Sequence, residues 1–148
     1  MSEICEEGID VWCLPETWLR GDIPSLPGLR RSFGAPRPKR VGKRGGVAQL
    51  VADGLECQPH VWKCRPADGV LWLRYRNIPC LSADLLAAVC YLPPNRGYND
   101  VQECFLALEQ ECVEALAAGL VLIAGDFNAH TGSKNEVEGD TAPPPGVG

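Results

Sequence analysis

Residues 120 to 132 read LVLIAGDFNAHTG, an apolar run that ends in a glycine, an acid, an aromatic, an amide and, shortly after, a histidine. Asp126, Asn128 and His130 therefore arrive together at the end of the most apolar segment. Two other apolar runs end in the same way: DVWCLP leads into Glu16 and Thr17, and LLAAVC leads into Tyr91. Taken singly, each has a structural reading: Glu16 as a surface carboxylate, Tyr91 as packing, and Asp126 with Asn128 as a capping turn. Taken together, they suit the hydrolysis of a phosphate ester. One carboxylate can hold Mg²⁺, a hard cation that takes oxygen ligands and keeps several waters. A second can orient or deprotonate the attacking water, while an amide and a phenol donate hydrogen bonds to phosphoryl oxygens as charge builds. His130 reads as a turn residue.

Such residues need elements to hold them. A short apolar run bounded by turn signals predicts a strand buried on both faces, which fits LVLIAGD. IDVWCL and LLAAVCYL predict further strands, the second stopping at Pro93 and Pro94. GVAQLV, HVWKC and VLWLRY alternate as strands of an antiparallel sheet, with turn signals at ADG and PADG between them. Asn99 or Asp100 can cap a helix in which Val101, Cys104, Phe105, Leu108, Cys112 and Leu116 recur at helical spacing before Gly119 ends it. Residues 20 to 46, rich in Pro, Gly and Arg, predict a long surface loop. After Thr131 periodicity stops, so residues 1–132 are expected to fold and residues 133–148, with three consecutive prolines, to form a loop or disordered tail.

The chain of 148 residues has room for one domain, or part of one. Its 45% hydrophobic and 22% charged content is that of a folded globular chain. No stretch is long and apolar enough for a membrane span, and the start has neither the basic flank nor the apolar core of a signal peptide, so a nuclear or cytoplasmic protein is expected. The eight cysteines include no CxxC pair, and most sit in apolar runs, which predicts reduced, buried thiols. Cys57, His60 and Cys64 are loosely spaced like zinc ligands but lack a fourth. The net charge of −5 conceals an acid-free stretch from Ile23 to Ala52 that holds Arg30, Arg31, Arg37, Lys39, Arg40, Lys43 and Arg44. This stretch reads either as a solvated loop or as a patch for nucleic-acid phosphates.

In this order, DVWCLPETWL, RGGVAQLVADGL, AAVCYLPPN and VLIAGDFNAHTG resemble the endonuclease/exonuclease/phosphatase superfamily. The likeness is greatest to the apurinic-type endonuclease domain that precedes the reverse transcriptase in non-LTR retrotransposons, and it runs from about residue 5 to residue 132. It implies an α+β fold, a four-layer sandwich of two β-sheets flanked by helices, present here in part and with its second sheet incomplete. It also implies that Glu16 binds Mg²⁺ or Mn²⁺, that Tyr91 positions the scissile phosphate, that Asp126 holds the nucleophilic water, and that Asn128 binds the phosphate or its transition state. Arg37, Lys39, Arg40, Lys43 and Arg44 are the expected DNA contacts. The family's first strand with its Asn and its later SDH segment with the catalytic His find no match, so the missing partner would be the rest of the domain or a reverse-transcriptase module.

Two functions from different classes follow. One is a Mg²⁺-dependent phosphodiesterase acting on DNA, expected to be inactive as this chain alone. The other is a non-catalytic retrotransposon relic that binds nucleic acid weakly or serves as an interaction fragment. A phosphatase or lipid phosphodiesterase of the same superfamily fits the ETWL and RGGVA segments less well.

Overall fold

The first third of the chain builds an antiparallel sheet from β1 (Val11–Pro15), β2 (Leu29–Ala35) and β3 (Val47–Ala52), in the order β1-β3-β2. The computed structural model describes residues 10–18, 23, 26–36, 38, 45–94 and 97–128, with backbone alone at 30–32. A second sheet follows from β4 (Gln58–Arg65), β5 (Val70–Arg76), β6 (Leu85–Tyr91) and β7 (Leu120–Asp126), in sequence order. β4, β5 and β6 pair antiparallel, whereas β7 runs parallel to β6 after a crossover through helix α1 (Tyr98–Ala118). A parallel pair needs such a crossover because a tight turn can only reverse the chain.

The protein is therefore α+β, with two sheets stacked face to face and α1 on the outer face of the four-stranded sheet. β5 and β6 are buried on both faces. Leu71, Leu73, Tyr75, Ala87, Val89 and Tyr91 pack against Val47 and Val51 of the other sheet. Val70, Trp72, Leu86, Ala88 and Cys90 pack against Cys104, Leu108 and Ala115 of α1. Burial on both faces explains why VLWLRY and LLAAVCYL read as near-continuous apolar runs. Among the described residues no helix is long and apolar enough to cross a membrane.

Five expectations are corrected. The long loop over residues 20 to 46 contains β2, which pairs along β3 with a bulge between Leu29 and Arg31; the Pro and Gly around it masked a strand that gains its order from its neighbour. β7 is not buried on both faces, because it is the edge of its sheet and the three-stranded sheet covers it only partly, leaving Leu120 and Leu122 about half exposed. The buried face of α1 is turned from the predicted one: Cys104, Leu108, Glu111 and Ala115 face inward, while Phe105 and Leu116 are exposed. The capping position is Gly97 and not Asn99 or Asp100, with Asp100 in the first turn, where a carboxylate suits the helix dipole. Cys90 and Cys104 are buried thiols as expected, but Cys64 and Cys80 are exposed. The tail from residue 133 lies outside the described residues.

Candidate active site at the strand ends

The chain leaves β1 through Pro15, the register partner of Val47, and its next amides stay tied to β3's approach: Thr17 N donates to Gly46 O at 3.0 Å and Trp18 N to Gly45 O at 2.9 Å. Between these anchors Glu16 takes a φ of +55°, in the left-handed region. For a residue with a Cβ this conformation is unfavourable by about 1 kcal/mol. The turn holds Glu16 at the end of the three-stranded sheet, half-buried, with its carboxylate directed at the other sheet.

Tyr91 meets it there. The hydroxyl of Tyr91 donates to Glu16 Oε1 at 2.7 Å. Tyr91 is the last residue of β6, its ring lies in the inter-sheet core, and its amide is fixed by a 2.8 Å bond to Gly69 O. Gly69 has a φ of +70°, and a Cβ there would collide with Tyr91 O, so only glycine lets the β4–β5 turn close on the strand end.

β7 delivers the remaining groups. Asp126 is the register partner of Tyr91, and Leu92 N donates to Asp126 O at 2.9 Å, so the two strand ends are bonded one residue past the pair. Phe127 then turns to the helix side and stacks on Phe105, with ring centroids 6.0 Å apart. Asn128, at a φ of +46°, closes the turn: its amide N donates to Asp126 Oδ1 at 2.8 Å, and its Nδ2 donates to Leu92 O at 2.8 Å and to Asp126 Oδ2 at 3.3 Å. Because Leu92 O can only accept, the amide orientation is settled.

The structure thus brings Glu16 onto Tyr91 and Asp126 beside Tyr91, with Asn128 bonded to Asp126. His130 and the expected DNA contacts Arg37, Lys39, Arg40, Lys43 and Arg44 lie outside the described residues. Sequence reasoning missed Gly69, Phe127 and the Gly45–Gly46 carbonyls as positioning groups. The PADG and RGG glycines had signalled a turn and a motif, but only the structure shows what the turns hold. Compared with known proteins, the chain matches no family model and no curated protein sequence.

The donor set suits a hard cation. Glu16 Oε2 has no hydrogen bond among the described residues, and Asp126 adds a half-buried carboxylate on the adjoining sheet. No three His, Cys, Asp or Glu side chains among the described residues close on one point, so any ion held here would keep most of its waters.

Proposed function

We propose that the strand-end cluster belongs to a Mg²⁺-dependent phosphodiesterase acting on DNA, of the endonuclease type found in retrotransposon polyproteins. The observation that carries this reading is the 2.7 Å bond from Tyr91 to Glu16, which joins the ends of two separate sheets at the point where Asp126 sits in register. Glu16 would hold the ion near Asp126, and the ion when bound would supply positive charge to a phosphoryl oxygen. Tyr91 fixes the rotamer of Glu16 and leaves Oε2 for a ligand. Asp126, steadied by the Asn128 amide, is a base for water. Both hydrogens of Asn128 Nδ2 are engaged internally, so donation to phosphate requires this amide to release Leu92 O.

That inward pairing supports a second reading, in which the cluster is a finished turn and the chain at most binds nucleic acid. Mn²⁺ titration followed by water-proton relaxation separates the two. A weak site that Glu16→Ala removes supports the hydrolase; an identical titration in Glu16→Ala overturns it. In plasmid nicking with Mg²⁺ the chain alone is expected to stay at background. Among the described residues no histidine stands at the strand ends, since His60 is on β4, at the opposite edge of the sheet from β7, and catalytic groups that act as a unit fail together. Nicking that vanishes in Asp126→Ala would show that the chain completes its own site.

A further inference from the structure

Among the described residues the inter-sheet core is apolar apart from the Tyr75 and Tyr91 hydroxyls and one amide side chain. Gln49, in the middle of β3, is fully buried. Its Nε2 donates to Leu71 O on β5 at 3.2 Å and to Ala87 O on β6 at 3.0 Å, while its Oε1 accepts the Tyr75 hydroxyl at 2.7 Å. Carbonyls only accept, so this orientation alone satisfies all three partners. Apolar contact between sheets is non-directional and tolerates sliding, whereas a buried amide in a dry core loses a bond with any displacement. The sheets therefore have a polar reference point at Ala87, four residues before Tyr91 on the same strand. On the other sheet Gln49 is the register partner of Cys13, three residues before Glu16.

We propose that Gln49 is the positioning residue of the strand-end site: it keys the three-stranded sheet onto the four-stranded one in the register that places Glu16 on the Tyr91 hydroxyl. Strands advance about 3.3 Å per residue, so a slip of even one residue would separate a pair now held at 2.7 Å. The inference deepens the hydrolase reading, but its primary test does not depend on metal.

That test compares Gln49→Leu combined with Tyr75→Phe, which removes both buried polar groups and leaves no orphan hydroxyl, with Tyr75→Phe alone, which leaves Gln49 on its two carbonyls. The primary readout is solvent exchange of the Tyr91 hydroxyl proton, measured by NMR. The double variant is expected to keep a cooperative thermal transition yet to exchange that proton at least about tenfold faster, while Tyr75→Phe alone stays near the parent. Mn²⁺ affinity should fall by about tenfold in the double variant, the scale of a lost supporting contact, and by no further amount when Tyr91→Phe is already present. Unchanged protection in the double variant overturns the proposal, as does equal loss in Tyr75→Phe alone, which would mark general loosening of the core. If the parent binds no Mn²⁺ through Glu16, the hydrolase reading fails while the proton exchange still decides the role of Gln49.

Discussion

Two polar clusters flank the four-stranded sheet, and they are built on opposite terms. On the helix side Glu111, nearly buried on α1, accepts from Arg65 Nε at 2.8 Å, from Arg65 Nη2 at 3.2 Å and from Trp72 Nε1 at 2.8 Å. Burial works against the charge of Arg65, but its hydrogen bonds to Glu111 and then Asp68 outweigh it and hold the guanidinium above its ordinary range. Glu111, Arg65 and Trp72 sit in regular helix and strand and carry an ion pair inside the fold. On the other side Glu16 and Asn128 occupy left-handed backbone, and Glu16 Oε2 has no hydrogen bond among the described residues. A cluster that holds the fold saturates its hydrogen bonds in relaxed geometry; a site keeps strain and an open ligand position. Losses should follow the same division.

The largest effect is expected from Glu111→Ala. Removing Glu111 orphans the Trp72 indole and leaves Arg65 with Asp68 alone, which should lower stability by about 2 kcal/mol in denaturant unfolding, with any Mn²⁺ binding at the strand ends unchanged. A loss well under 1 kcal/mol would erase the contrast. A smaller effect, with the opposite split, is expected at Glu16. Glycine accepts a φ of +55° without a Cβ clash, so Glu16→Gly should be more stable than Glu16→Ala by about 1 kcal/mol, while both should lose the proposed metal site. Equal stability of the two variants would show that the turn is not strained.

The smallest effect concerns a buried thiol of β6. Cys90 faces the helix-side cluster, and burial, with smaller contributions from neighbours led by Cys104, pushes its thiol up to about 12. The folded state therefore keeps this proton after the unfolded chain releases it near 9.0, so the contribution is full below pH 9.0 and is lost as pH rises toward 12. The thermal midpoint should fall across that window, and less so in Cys90→Ala. Tyr75, also raised by burial, adds to the fall in the same direction. Alkylation at neutral pH should label exposed Cys80 long before Cys90; simultaneous labelling would mean that the helix side opens readily.

Much of this architecture was legible because it is local. Period-two alternation located β3, β4 and β5, and Gly119 marked the end of α1. β2 was not legible, since LRRSFGA has little strand character and owes its order to β3. The inward face of α1 was misread because Glu111, polar by type, is buried through partners 46 and 39 residues away, while Phe105 and Leu116 are left outside. Glu16, Tyr91, Asp126 and Asn128 could be picked out from their places at the ends of apolar runs. That Glu16 and Tyr91 bond to each other, across 75 residues, depends on how one sheet lies on the other, and Gln49, the buried amide between the sheets, looked like an ordinary position in an alternating strand.

The parallel pairing of β6 with β7 also sets an order in time. A chain emerging from a ribosome presents Glu16 first, must extend to Tyr91 before that carboxylate finds its hydroxyl, and must then complete all of α1 before Asp126 can reach its place beside Tyr91. Contacts so distant along the chain are slow to close, and the helix-side core must be in place for β7 to dock. The strand-end cluster is thus the last part of the described fold to be assembled during synthesis, and no nascent chain that stops short of β7 carries it.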